Sequence, residues 1–197
     1  MTAESVEHRH EWPVPPQDGY TVDDLFTLPD LPPHTELIDG SLVFVSPQRR
    51  FHYLVINLLF NGLCSSLTPE FSVEREMTVV LDERNGPEPD VSVVRADAVT
   101  GLDQARFRAE DVLLTVEVVS PDSESRDRTT KPHKYAAAGI PDYWRVEQDG
   151  TTGEPIIHVY ELEPLGNSYV HMAMHRERIK VDKPYPIDID LTGIGKG

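Results

Sequence analysis

The run LLTVEVV, residues 113–119, constrains the fold of this chain more than any other stretch. Leu, Val and Thr at consecutive positions suit a strand buried on both faces, because a half-exposed strand would alternate apolar with polar residues. A strand of that kind lies inside a sheet that is covered on each side. Glu117 sits in the middle of the run. An unpaired buried carboxylate is costly, so Glu117 has either a partner or a use for its charge.

Elements of both kinds flank this strand. TVDDLFTLP (21–29) reads as a short helix with Thr21 as its N-cap, stopped by Pro29. TELIDGSLVFVSP (35–47) reads as a hairpin around Asp39-Gly40, a dipeptide suited to tight primed turns. Apolar residues at 51, 54, 55, 58, 59 and 63 have helical spacing, so residues 47–67 are expected to form an amphipathic helix, with Pro47 in its first turn. FSVEREMTVVLD (71–82) and DVSVV (90–94) read as strands, and 95–111 as a connection with a helical turn in LDQARF. DRTTKPHKYAAAG (127–139) is expected to be a helix closed by Gly139. DYWRVE (142–147) reads as a strand, and PIIHVYELE with SYVHMAMHRE as an antiparallel hairpin, followed by PYPIDIDL. There is no internal repeat. The order predicts an α/β domain with a central mixed β-sheet flanked by helices and added β-hairpins at both ends. Its expected span is 20–191, between a mobile tail over 1–19 and a short tail over 192–197.

The chain has 34 Asp and Glu against 18 Lys and Arg, a net charge of −16. That balance counts against a protein living by non-specific nucleic-acid contacts, and any such partner would need a local basic patch. No apolar run is long enough to cross a membrane and the N-terminus has no apolar leader, so no membrane partner is expected. Cys64 is the single cysteine, which fits a reducing cytoplasm.

Asp90 opens a strand directly after Pro89, and pairing of that strand with 113–119 would bring it toward Glu117. Two adjacent carboxylates repel unless a cation lies between them, and Mg²⁺ (or Mn²⁺) is the usual solution for oxygen donors. Lys131 lies at the expected start of a helix, with Pro132 behind it, where the helix dipole disfavours a cation. A carboxylate pair or a phosphate as its target would explain the placement. Arg126, Arg128 and Lys134 complete the densest basic cluster of the chain.

At this point the residues resemble a known family. EPD at 88–90, VEVVSP at 116–121 and DRTTKPHKYAAAGIPDYWRVE at 127–147 are similar to the Uma family of restriction endonuclease-like proteins in the PD-(D/E)XK nuclease superfamily. TELIDGSLV at 35–43, then SP and a helix carrying His52, matches the opening of that family, and the likeness runs over roughly 21–162. The resemblance implies a restriction endonuclease-like core. It implies Asp90 and Glu117 as metal-binding carboxylates, with the Val118 carbonyl as a further ligand, and Glu36 as an added carboxylate of the site. Where the superfamily motif expects Lys two residues after the Glu, this chain has Val119, so the resemblance moves the catalytic lysine to Lys131. It implies metal-dependent hydrolysis of phosphodiester bonds in a nucleic acid, DNA first. A nuclease-like binding or regulatory module is the alternative, and it draws its support from the acidic balance. A third reading is an enzyme whose basic surface another chain supplies. Strand edges within 155–191 suggest a homodimer.

Other residues have plainer readings. His52 reads as a satisfied helix histidine, His8 and His10 as tail residues, and His171 with His175 as a pair on one face of a strand. Cys64 reads as a buried inert thiol, Ser120 lacks a nucleophile elbow, and Tyr135, Tyr143 and Trp144 read as core, with Tyr135 facing the sheet.

Overall fold

In the computed structural model, residues 14–45, 47–164 and 166–194 are described. Most of the tail expected over 1–19, with His8 and His10, and the last residues of the C-terminal tail lie outside them. The first element, α1 (Asp24–Thr27), is shorter than its sequence suggested. Thr21 does not cap it by accepting an amide. Instead the Asp24 carboxylate reaches back and accepts from the Thr21 N–H at 2.7 Å and its hydroxyl at 2.9 Å, which is one half of a capping box.

β1 (Glu36–Ile38) and β2 (Ser41–Val43) form the expected hairpin. Asp39 and Gly40 both have positive φ, 51° and 72°, as a type I′ turn requires. Gly40 is needed for a second reason, since a Cβ there would run into the Arg84 guanidinium. α2 (Arg50–Ser65) buries Val55, Ile56, Leu59 and Leu63, and Pro47 lies in the approach to it rather than in its first turn. Cys64 falls off this apolar stripe, on the side shared with Tyr53, and is exposed rather than buried.

The β-rich stretch 71–82 is two strands, β3 (Phe71–Arg75) and β4 (Thr78–Val80), because Glu76 turns the chain with φ 51°. β5 (Val91–Arg95) follows. In the connection the expected helical turn at LDQARF is replaced by β6 (Arg106–Arg108), which pairs in parallel with β4. β7 (Val112–Val118) is the strand of the opening, buried along nearly its whole length. A wide helical turn, Arg126–Thr130, runs without a break into α3 (Lys131–Ala137). Gly139 closes that helix with φ 82°, a conformation an L side chain resists. β8 (Asp142–Gln148), β9 (Pro155–Leu162) and β10 (Tyr169–His175) complete the central sheet, and β11 (Arg178–Val181) pairs with β12 (Ile187–Asp190).

The central sheet has the order β10-β9-β8-β7-β5-β3. β7 and β8 are parallel and the other neighbours antiparallel, so the sheet is mixed as expected. The β9–β10 hairpin, residues 155–175, extends this sheet rather than standing beside it. One face carries Val91, Val93, Leu114, Val116, Val118 and Trp144 against α2 and the β11–β12 ribbon. The opposite face packs Tyr143 beneath Tyr135 of α3. Met172 is an extra residue in β10, so His171 pairs with Tyr160 while His175 pairs with Ile157. Those partners lie on opposite faces of β9, and the two histidines therefore do not share a face.

Candidate functional site

β7 explains Glu117 through register. It pairs antiparallel with β5, Val91 opposite Val116, so Asp90 just before β5 lies level with the residues after Val116. The Val118 N–H donates to Asp90 Oδ2 at 2.6 Å, which ties Asp90 to the end of β7 beside Glu117. Odd-numbered residues of β7 face α3, and Glu117 therefore points under the helix that follows it.

Ser120 and Ser123 set the course of that helix. The Ser120 N–H donates to Ser123 Oγ at 3.0 Å and the Ser123 N–H to Ser120 Oγ at 3.2 Å, a local pair that turns the chain after the strand. The Lys131 N–H then donates to the Arg126 carbonyl, an i→i−5 bond that opens the turn. Pro132, with no N–H, leaves the next bond unmade. Helical backbone thus begins five residues before Lys131, and Lys131 is not at the positive end of its helix as its sequence position suggested. Its placement is explained by what it touches.

Lys131 Nζ lies 2.7 Å from Glu36 Oε1, 3.0 and 3.1 Å from the two oxygens of Glu117, and 3.6 Å from Asp127 Oδ1. Lys131, Glu36, Glu117 and Asp127 are all at most 4% exposed. Glu36 is held from a second side, accepting the Glu88 N–H at 2.9 Å. The hairpin that carries it is pinned by Leu37 bridging Gly86 and by the Lys134 ammonium, 2.5 Å from Asp39 Oδ1. The structure thus brings Glu36, Asp90, Glu117, Val118 and Lys131 to one cleft.

Sequence reasoning missed three members of this group. The Tyr135 hydroxyl donates to Glu117 Oε1 at 2.6 Å, so the residue assigned to the core is also a positioning group. Its signal was the four-residue spacing from Lys131, which puts both on one helix face. Asp127 is a further buried carboxylate, and its Oδ1 has no hydrogen-bond donor. His52 faces the cleft with Nε2 3.2 Å from Asp90 Oδ1, and its Nδ1 is buried without a partner. It is not the satisfied helix residue that its position suggested.

The electrostatics follow from burial. Desolvation pushes the Glu117 carboxyl well above its ordinary range, Lys131 opposes this, and the charges of Asp127, Asp90 and Glu36 add to it. Asp127 is raised for the same first reason. Burial works against the charge of Lys131, yet Glu117, Glu36 and Asp127 around it hold its proton more firmly than usual. One ammonium therefore faces three buried carboxylates, with Asp90 close by. That excess negative charge is what a cation relieves.

The donor set suits a hard cation: carboxylate oxygens of Asp90 and Glu117, lone pairs still open on each, and Val118 lining the same cleft. Among the described residues no group of three His, Cys, Asp or Glu side chains is arranged to hold a metal. Any ion here would rest on few protein ligands and keep much of its water, as Mg²⁺ prefers.

Comparison with known proteins agrees with this architecture. No helix of the described residues is long and apolar enough to cross a membrane. No curated protein sequence matches the chain. Among solved structures it is similar to a protein of Anabaena variabilis ATCC 29413 described as "a putative nuclease belonging to DUF820", with a TM-score of 0.63 and 18% identity over 83% of this chain and 89% of that one. At that identity the likeness speaks for the fold. A family described as "Putative restriction endonuclease" matches residues 22–192, nearly the whole described chain, and the protein belongs to this family, Uma2.

Proposed function

We propose that the protein is a metal-dependent nuclease that hydrolyses phosphodiester bonds of nucleic acid, with DNA as substrate and Mg²⁺ or Mn²⁺ as the ion. The observation that carries the reading is Lys131, buried and fully charged, within 3.1 Å of both oxygens of Glu117 and beside Asp90 in an open cleft. Membership of Uma2 supports it.

Asp90, Glu117 and the Val118 carbonyl would hold the ion, which when bound activates water and neutralises charge on the phosphate. The chain's own residues do the rest. Tyr135 and Lys131 fix the Glu117 carboxylate by hydrogen bonds from two directions. His52 and the Val118 amide fix Asp90 in the same way. Lys131 sets a positive charge beside the phosphate, where the transition state gathers negative charge on the non-bridging oxygens. The water oxygen bonds to phosphorus as one P–O ester bond breaks, the water gives up a proton to solvent while the leaving sugar oxygen takes one up, and no covalent enzyme intermediate forms.

The edge strand β10 exposes Val170, Met172 and Met174, which supports self-association as a homodimer. A cytoplasmic location, suggested by the single cysteine, is part of the same proposal. Sedimentation velocity reads the oligomeric state directly.

The deciding experiment is calorimetric titration with Mg²⁺ and Mn²⁺, wild type against Glu117→Gln, followed by cleavage assays on single- and double-stranded DNA. Binding and cleavage that both disappear in the variant, with its fold intact, support the assignment. Metal binding without cleavage of any substrate would favour the binding-module reading, to which the charge of −16 lends weight. No metal binding by the wild type sinks the proposal.

A further inference from the structure

Most cations around the cleft already have anions. Arg128 lies 3.3 Å from Glu124 and 2.9 Å from Glu147, Lys134 holds Asp39, and Lys131 holds Glu36 and Glu117. Arg49 and Arg126 also line the cleft. Neither makes an ion pair or a side-chain hydrogen bond among the described residues, and Arg126 Nε is buried with no partner. In a chain where 34 acidic side chains face 18 Lys and Arg, two unpaired arginines beside a carboxylate-rich cleft need a reason. A buried N–H without an acceptor costs on the order of 1–3 kcal/mol, and an incoming oxygen would remove that cost.

The two arginines come from separate segments. Arg49 precedes α2 in extended backbone, φ −82° and ψ 157°, and is exposed. Arg126 opens the wide turn after β7 and is half-buried. Asp90, Glu117 and Lys131 line the same cleft. A guanidinium presents a planar fork that matches two phosphate oxygens, and it keeps its charge at every accessible pH.

We propose that Arg49 and Arg126 form a backbone clamp, each taking one phosphate of the nucleic acid and together seating the bond to be cut at Lys131 and Glu117. The clamp rests on the nuclease reading above and deepens it by stating how much substrate the protein grips. Glu76, Glu88 and Asp122 line the remainder of the cleft and repel a longer phosphate track. Contact is therefore limited to about two phosphates, which gives a slope of log K against log salt of about −1.8 on duplex and about −1.4 on single strand.

The test is fluorescence anisotropy with a fluorescein-labelled DNA oligonucleotide, single-stranded and duplex, across ionic strength, with Ca²⁺ replacing Mg²⁺. Arg49→Ala and Arg126→Ala are compared with Arg95→Ala, which removes the same charge from an exposed position at the end of β5 that has no ion pair among the described residues. Thermal melts run alongside establish that each variant is folded. Each clamp variant is expected to weaken binding about fivefold or more and to reduce the salt slope by about 1, while Arg95→Ala stays within about twofold of wild type. Clamp variants that bind like wild type, or a wild-type slope steeper than about −4, overturn the clamp. If the wild type still cleaves and Glu117→Gln does not, that failure touches the clamp alone. A wild type that neither binds nor cleaves overturns the clamp and the nuclease reading together.

Discussion

Lys131 is the single positive charge in direct contact with Glu36, Glu117 and Asp127 among the described residues, so its removal strands three buried carboxylates. Lys131→Met is expected to destabilise the fold by about 3–5 kcal/mol in urea unfolding, the usual outcome of breaking a buried charge cluster from one side. Tyr135→Phe is the gentler probe. It deletes one 2.6 Å hydrogen bond to Glu117, and should cost about 1–3 kcal/mol of stability and lower the cleavage rate while the fold persists. Unchanged stability would mean that Glu117 is held by Lys131 alone. Asp142, at the far end of β8, offers a pH test. Burial and the nearby Glu161 raise its carboxyl to about 6, against the opposing pull of Lys183. The folded state then holds a proton that the unfolded state has released, so this group's contribution falls as pH rises from about 4 to about 6 and stays lost above. Asp142→Asn should flatten that window and add about 1–3 kcal/mol at pH 7, read from urea melts across pH. At this scale the site was legible where short motifs carry it. Asp90 follows Pro89, Glu117 interrupts an apolar run, and Lys131 stands in the Asp127-x3-Lys131-x3-Tyr135 run after it. His52 was not legible, because its meaning lies in a tertiary distance of 3.2 Å to Asp90 that no local pattern encodes. Asp127 stands four residues before Lys131, as Tyr135 stands four after, so its spacing was readable and only its burial was not.

Elements with strong period or strong turn chemistry were readable: the Asp39-Gly40 hairpin, α2, β7 and the β9–β10 pair. Those decided by partners were not. β6 exists because β4 offers it an edge, and the Met172 bulge moves His175 to the other face of β10 without a mark in the sequence. β11 escaped notice for the same reason, since its four residues are held by pairing with β12. Gly62 shows how closely such partners fit. It lies within α2, where glycine costs about 1 kcal/mol relative to alanine, yet a Cβ there would stand 2.6–2.8 Å from three carbons of Ile189 in β12. Gly62→Ala should therefore destabilise by about 1–3 kcal/mol despite its better helix propensity, and Ile189→Val placed with it should recover part of the loss. A Gly62→Ala protein more stable than wild type would show that the ribbon moves aside freely.

Across the whole molecule, charge is the dominant fact. At −16 the folded chain repels itself, and moderate salt should raise its melting temperature by screening. Divalent cations act more selectively. On the metal-site reading, Mg²⁺ at about 100 times its dissociation constant stabilises the fold by about 2.7 kcal/mol beyond any effect of NaCl at matched ionic strength. Glu117→Gln should abolish that excess, and an equal response to both salts would leave only screening. The order in which the cleft is assembled matters in a different way. Glu36, Asp90, Glu117 and Lys131 come from four separate stretches, and β7, which carries Glu117, takes β8 from downstream as its parallel neighbour. A chain still leaving the ribosome therefore holds the reactive groups before it can place them. On the nuclease reading, a half-made copy is harmless to the nucleic acid of its own cell, and cutting ability arrives only with the finished sheet.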